Sequence, residues 1–205
     1  MSKKSPSPDQ VLSDRILVII SAPSGAGKTT LCQRLLASRP DLLLSISSTT
    51  RAPRGTEVDG REYHFLDRST FERQIQEGVF AEWAKVHDQY YGTSRRTIEE
   101  AFSRGRHVLL DIDVQGAASL RDAYGPARTL TVFIAPPSIE VLERRLRARG
   151  TDREEVIQKR MHNARREMEA APSFDCVIVN DDLDRAFAEL SQVVASHLDA
   201  GGGSD

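Results

Sequence analysis

The chain has 205 residues, 39% of them hydrophobic and 28% charged, enough for one domain with a sizeable buried core. Its 28 Lys and Arg against 30 Asp and Glu give a formal charge of −2, which argues against nucleic-acid binding through a broad basic surface. No apolar run approaches the length of a membrane span, and the two cysteines, Cys32 and Cys176, lack C-x-x-C spacing.

Residues 1–14 carry Lys3 and Lys4, followed by Ser-Pro-Ser-Pro where a secretion signal would need its apolar stretch. This segment and the glycine-rich end, 199–205, read as flexible tails. With both cysteines read as buried free thiols, the expectation is a cytoplasmic protein.

The first element is the apolar run Ile16-Leu17-Val18-Ile19-Ile20, read as a strand. After it come Ala22, Pro23, Ser24, Gly25, Ala26, Gly27, Lys28, Thr29 and Thr30, then a helical pattern with Leu31, Leu35 and Leu36. Strand, glycine-rich loop and helix start together build an anion site from backbone. Gly25 and Gly27 let successive N–H groups turn inward, and the helix adds its positive dipole end. Lys28 supplies a mobile cation for the β- and γ-phosphates of a nucleoside triphosphate, and the Thr29 hydroxyl suits Mg²⁺. Ala22 stands where this motif usually has its first glycine, which is tolerable at a negative φ.

Further apolar, β-branched runs fall at 107–112, 129–134 and 175–179, with helix-period segments at 115–124, 138–149 and 183–198. Strands alternating with helices imply an α/β fold with a parallel sheet flanked by helices. Two stretches break that rhythm. Residues 45–95 are rich in Arg, Tyr, Ser, Thr and Gly, with a helix expected at 69–77 and short strands around 80–91. Residues 149–168 are helical and strongly charged, carrying Arg149, Arg153, Arg160, Arg165 and Arg166.

Within 45–95, Arg51 and Arg54 flank Pro53, with hydroxyls before them and Tyr63 after. Paired guanidinium forks suit a terminal phosphate monoester, to which a tyrosine can also donate. Glu82 and Asp111 are acceptors only, so they suit a base with adjacent N–H donors; guanine offers N1–H and N2–H₂. Asp111 and Asp113 would point to opposite faces of a regular strand, Asp111 toward the base and Asp113 toward the Mg²⁺ water shell. The five histidines have no metal or dyad spacing and read as structural or surface groups.

The stretch Ser47-Ser48-Thr49-Thr50-Arg51-x-Pro53-Arg54, with Gly60, Tyr63, Phe65, Glu82-Trp83, Tyr90-Tyr91-Gly92, Asp111-Ile112-Asp113-x-Gln115-Gly116 and Val179-Asn180-Asp181-Asp182-Leu183, closely resembles the guanylate kinase family. The resemblance covers about residues 15–195. It implies a P-loop NTPase core (15–44, 96–148 and 169–198), an inserted GMP-binding lobe (45–95) and a helical lid (149–168), together a domain over 15–198. By that resemblance Ser47, Glu82 and Asp111 would read guanine with Thr93 close by, while Arg51, Arg54, Tyr63 and Tyr91 would hold the GMP phosphate. Arg149 and Arg160 fall at lid positions that meet transferring phosphates, with Arg165 a third candidate, and Asn180 would lie near the adenine or its ribose.

The resemblance therefore implies transfer of the ATP γ-phosphate to GMP, and to dGMP, with Mg²⁺ as cofactor. Small nucleotides would be its partners, without nucleic acid or membrane, in a monomer or homo-oligomer. Two other readings stand beside it. A kinase of the same core acting on a phosphorylated ribose would lose the guanine readers, whereas Glu82, Tyr91 and Asp111 are all present here. A phosphopeptide-binding scaffold module would degrade the phosphate loop, which here is intact.

Overall fold

In the computed structural model, residues 15–86, 88–148, 150 and 153–200 are described. The expected tail at 1–14, the end at 201–205, His87 and Arg149 lie outside these residues. Five parallel strands form the core sheet: β1 (Leu17–Ser21), β2 (Leu42–Leu44), β7 (His107–Asp111), β8 (Thr129–Ala135) and β9 (Cys176–Val179), in the order β2-β7-β1-β8-β9. All five residues of β1 and all seven of β8 are buried, as central strands covered on both faces must be.

Side-chain alternation along β1 divides the core into two layers. Val18 and Ile20 pack with Leu31 and Leu35 of α1 (Lys28–Ser38) and with Ala186, Leu190 and Val194 of α7 (Leu183–Ala200). Leu17 and Ile19 pack on the other face with Ile98 and Phe102 of α3 (Arg95–Ser103) and with Ala117 and Leu120 of α4 (Val114–Tyr124). This is the helix-sheet-helix arrangement expected from the sequence. Two core elements were not anticipated: β2, three leucine-rich residues that the sheet alone makes a strand, and α3, whose apolar spacing is helical.

The interruption at 45–95 forms a second sheet. Its four strands are β3 (Ser48–Thr49), β4 (His64–Phe65), β5 (Phe80–Val86) and β6 (Gln89–Ser94), in the order β4-β3-β6-β5, with α2 (Arg68–Gln76) against them. Buried Phe71 of α2 stacks between Phe80 at 4.4 Å and Tyr90 at 5.3 Å. Asp67 caps α2 by accepting from the Thr70 N–H at 2.8 Å.

The helices α5 (Ile139–Ala148) and α6 (Glu154–Ala170) pack through Leu142, Leu146, Ile157, Met161 and Ala164. Arg147 joins the two by pairing with Glu143 and Glu154. Cys32 is buried in α1 and Cys176 half-buried in β9, both free; burial pushes the Cys32 thiol up to about 12, so it stays protonated. Among the described residues no helix is long and apolar enough to cross a membrane.

Candidate active site

A cleft of about 630 Å³ opens at the carboxyl ends of β1 and β7 and is walled by the second sheet and α6. Parallel sheets bind ligands at this end because the strand-to-helix loops and helix N-termini converge there. Its floor is the loop from Ala22 to Thr30. Gly27 caps α1 at φ 96°, a left-handed conformation that a side chain resists. Ala22 is not among the residues with positive φ, so its methyl is accommodated as expected.

The loop rests on Asn180. This residue is buried, and its amide donates to the Ala26 carbonyl at 2.6 Å. A Cβ at position 27 would stand 2.2 Å from that amide nitrogen, so glycine is required here for space as well as for φ. Asn180 is itself held by its N–H on Ala135 at 2.8 Å and by Arg145 donating to its carbonyl at 2.9 Å. Sequence reasoning placed Asn180 near the adenine or its ribose; the structure shows its side chain supporting the phosphate loop from beneath. Asn180→Asp keeps the shape but sets an acceptor against the Ala26 carbonyl. Loss of one buried hydrogen bond predicts a fall of roughly 10–100-fold in kcat/KM for ATP, with KM for GMP unchanged, in steady-state kinetics.

Lys28 pairs with Asp111 and donates to the Ile112 carbonyl at 3.3 Å. Burial would lower its pKa, but the adjacent Asp111 outweighs that and holds it above the usual lysine value. Thr29 and Thr30 line the cleft beside it, and Arg160 of α6 donates to the Ser24 hydroxyl at 3.3 Å. Arg165 lies near Glu140 instead.

The two aspartates divide differently from the sequence expectation. Strand β7 ends at Asp111, so regular alternation does not reach Asp113. Asp113 is the N-cap of α4, accepting from the Gly116 N–H at 2.8 Å. It stands beside Glu82, whose carboxylate lies so near Gly116 that a Cβ there would come within 2.9 Å of Oε2. Asp111 thus faces the phosphate-loop lysine, and Asp113 faces Glu82.

Glu82 is buried and accepts from the Thr93 hydroxyl at 2.6 Å. Burial, reinforced by the Asp113 charge, pushes its pKa up to about 7 against the opposing pull of Thr93. Thr93 is fully buried and spends its hydroxyl on Glu82, so it orients that carboxylate. Ser47, buried at the lobe's entry, lines the same cleft.

Arg51, Arg54, Tyr63 and Tyr91 converge on the other side of the cleft. The rings of Tyr63 and Tyr91 meet edge-on at 6.0 Å, and the Arg51 guanidinium lies 5.3 Å from the Tyr63 ring centre. Two charged cleft residues escaped sequence reasoning. Glu57 grips Arg51 through both carboxylate oxygens, at 2.9 and 3.0 Å. Glu167 reaches in from α6 toward Lys28 and Asp113, and burial pushes its pKa up to about 7. Neither had a local signature beyond Gly55, which announces a turn just before Glu57.

A loop built to surround a polyphosphate, sharing one cleft with a set of arginines and carboxylates, fits a nucleotide kinase of the P-loop class. Residues 14–197 match the family model described as guanylate kinase. The chain is 48% identical over 187 residues to the guanylate kinase of Myxococcus xanthus, covering 91% of this chain and 88% of that protein. It is 53% identical over 175 residues to that of Oleidesulfovibrio alaskensis, covering 85% and 84%. The crystal structure of guanylate kinase from Anaplasma phagocytophilum superposes with a TM-score of 0.74 at 30% identity, over 90% of this chain and 86% of that one. The chain belongs to the guanylate kinase family.

Proposed function

We propose that the chain transfers the γ-phosphoryl group of ATP to GMP, and to dGMP, yielding ADP and GDP or dGDP. The observation that carries this reading is one cleft lined by both the phosphate loop, with Lys28, and the buried carboxylate Glu82 beside Asp113. The shared cleft supports a division of labour among these residues. The loop from Ala22 to Thr30 cradles the ATP phosphates. Arg51, Arg54, Tyr63 and Tyr91 hold the GMP phosphate, while Ser47, Glu82 and Asp113 accept from or donate to the guanine edge. Asp111, set against Lys28, belongs to the phosphate side. The parts are a core, a GMP lobe over 45–95 and a lid over 149–168, from which Arg160 meets the phosphates; Arg149 is proposed to join it there.

The nucleophile is already an anionic phosphate oxygen, so no strong general base is required. Lys28 and the arginines align two like-charged nucleotides and neutralise charge as the phosphoryl group moves. Folding the lobe and lid over both substrates excludes water that would otherwise hydrolyse ATP.

Among the described residues there is no cluster of three or more His, Cys, Asp or Glu side chains able to cage a metal. That fits Mg²⁺, which favours one or two protein oxygens plus substrate phosphates. The Thr29 hydroxyl in the cleft is the group that would hold it, and Asp111, which lines the same cleft, would accept from its waters. Bound there, Mg²⁺ would neutralise β- and γ-phosphate charge. Excess EDTA is expected to abolish ADP formation, and activity that survives it would remove Thr29 from this role. The free thiols suit a reducing compartment, in keeping with a cytoplasmic enzyme.

Supplying ATP and Mg²⁺ with each nucleoside monophosphate in turn and following ADP release tests the reading. GMP and dGMP should support turnover, and AMP, CMP and UMP should not; equal rates with AMP would overturn it. A pH dependence follows as well. Below about 7, Glu82 gains a proton and becomes a donor, unsuited to guanine N1–H and suited to adenine N1. The GMP/AMP ratio of kcat/KM should therefore fall as pH drops through 7. Comparing guanosine and adenosine as inhibitors removes the phosphate's own titration. The sign for stability is opposite: raised carboxylate pKa values at Glu82 and Glu167 favour the substrate-free fold at low pH, and that contribution is lost as pH climbs through about 7.

A further inference from the structure

Glu57 belongs to no part of the proposed chemistry, yet it lies in the phosphate half of the cleft. A carboxylate there is costly for a site that must take up an anion, since like charges repel at close range. Its hydrogen bonds explain why it is present. Both Glu57 oxygens accept from the two terminal nitrogens of Arg51, at 2.9 and 3.0 Å, a fork-on-fork geometry that fixes the guanidinium plane. The same carboxylate accepts from the Arg54 backbone N–H at 2.7 Å. A turn closed by the Glu57 N–H on the Arg54 carbonyl at 3.0 Å brings it back, with Gly55 at φ 53°.

The guanidinium is held on its other sides too. Its carbon stands 5.3 Å from the Tyr63 ring centre and 5.9 Å from that of Phe65, and one terminal nitrogen also donates to the Ala52 carbonyl at 2.8 Å. The Arg51 side chain is only 10% exposed, so the arginine is locked before any substrate arrives. A flexible arginine would lose rotamer freedom on capturing the phosphate; a clamped one does not.

We propose that Glu57 is a positioning residue for GMP, holding Arg51 and the Arg54 backbone in the geometry that receives the monophosphate. It acts through Arg51 and does not touch the transferring group. The proposal rests on the reading of Arg51 as a phosphate ligand. The competing role is a placeholder, a carboxylate that occupies Arg51 and must be displaced by GMP. The two roles predict opposite signs.

The test compares Glu57→Ala, Glu57→Gln, Arg51→Ala and the double variant Arg51→Ala/Glu57→Ala in steady-state kinetics, with guanosine as a phosphate-free inhibitor. Positioning predicts that Glu57→Ala raises KM for GMP by about 10-fold or more, as expected for loss of a charge-assisted clamp. Values of kcat at saturating GMP, KM for ATP and inhibition by guanosine should stay near wild type. Glu57→Gln, which still accepts from one arm of the fork, should fall between. In the Arg51→Ala background, removing Glu57 should add little, because the group it positions is gone. A KM for GMP that falls in Glu57→Ala would establish the placeholder role and overturn the proposal. An unchanged KM would make the ion pair a bystander and would overturn it equally. Weakening of guanosine along with GMP would mean a disturbed lobe and would likewise overturn it. Arg51→Ala separates the two levels. If it leaves KM for GMP unchanged, the phosphate-ligand reading itself fails; if it raises that KM while Glu57→Ala does not, only the positioning role fails.

Discussion

Lys28→Ala is expected to abolish nearly all turnover, lowering kcat by at least about 10²–10³-fold, the range for losing one preorganised electrostatic group. Lys28 is the first residue of α1, and alanine is a strong helix former, so the helix and the loop backbone should persist. The N–H groups would still bind phosphate, but the cation that follows the moving group would be missing. Asp111 would lose its partner, yet its side chain is 32% exposed and can remain hydrated. The enzyme should therefore melt near the wild-type temperature and retain most of its affinity for a non-hydrolysable ATP analogue. Turnover near wild type would sink the assignment of the phosphate loop.

Glu82→Gln should change which base is accepted. In the proposed site Glu82 and Asp113 present acceptors to the N1–H and N2–H₂ edge of guanine, and adenine would face them with its N1 lone pair. A site that leaves buried polar groups unpaired with the wrong ligand can discriminate by about 10⁴–10⁵. Glutamine can turn its amide to donate, so most GMP efficiency should be lost and AMP gain in relative terms. The GMP/AMP ratio of kcat/KM is expected to fall by about 10²-fold or more, equivalent to one or two hydrogen bonds of discrimination. IMP, which keeps N1–H and lacks the 2-amino group, should be a poor substrate for the wild type. The aspartates provide an internal comparison. Asp113→Asn should lower the same ratio, whereas Asp111→Asn, acting beside Lys28, should lower kcat and leave base choice alone. An unchanged ratio in Glu82→Gln would take Glu82 out of the base site.

The core was legible because its signals are local and redundant. The run Leu17–Ile20 is buried on both faces and reads as a parallel strand, and Gly25, Gly27 and Lys28 announce a phosphate loop from spacing alone. Leu42–Leu44 carried no comparable signal, since leucine favours helices and only pairing with β7 makes it a strand. In α3 the signal was present, in the spacing of Ile98, Ala101 and Phe102, but the insertion before it obscured the return to the core.

Within the site, residue types were easier to read than the directions in which they point. Whether Asp113 continues a strand or caps a helix depends on where β7 stops, which hydropathy does not mark. Asn180 supports the phosphate loop across 154 residues of sequence, and no local pattern predicts a contact of that span. Glu57 and Glu167 sit among many surface-type charges, and only the folded chain separates them from the rest.

The central claim is direct transfer between two nucleotides bound in one cleft. ATP labelled with radioactive phosphorus in the γ position, incubated with the enzyme, Mg²⁺ and GMP, tests it most directly once the products are separated. The label should appear in GDP, in amounts matching the ADP formed, with little inorganic phosphate released in the presence or absence of GMP. Label recovered mainly as inorganic phosphate, or GDP unlabelled while ADP accumulates, would contradict it.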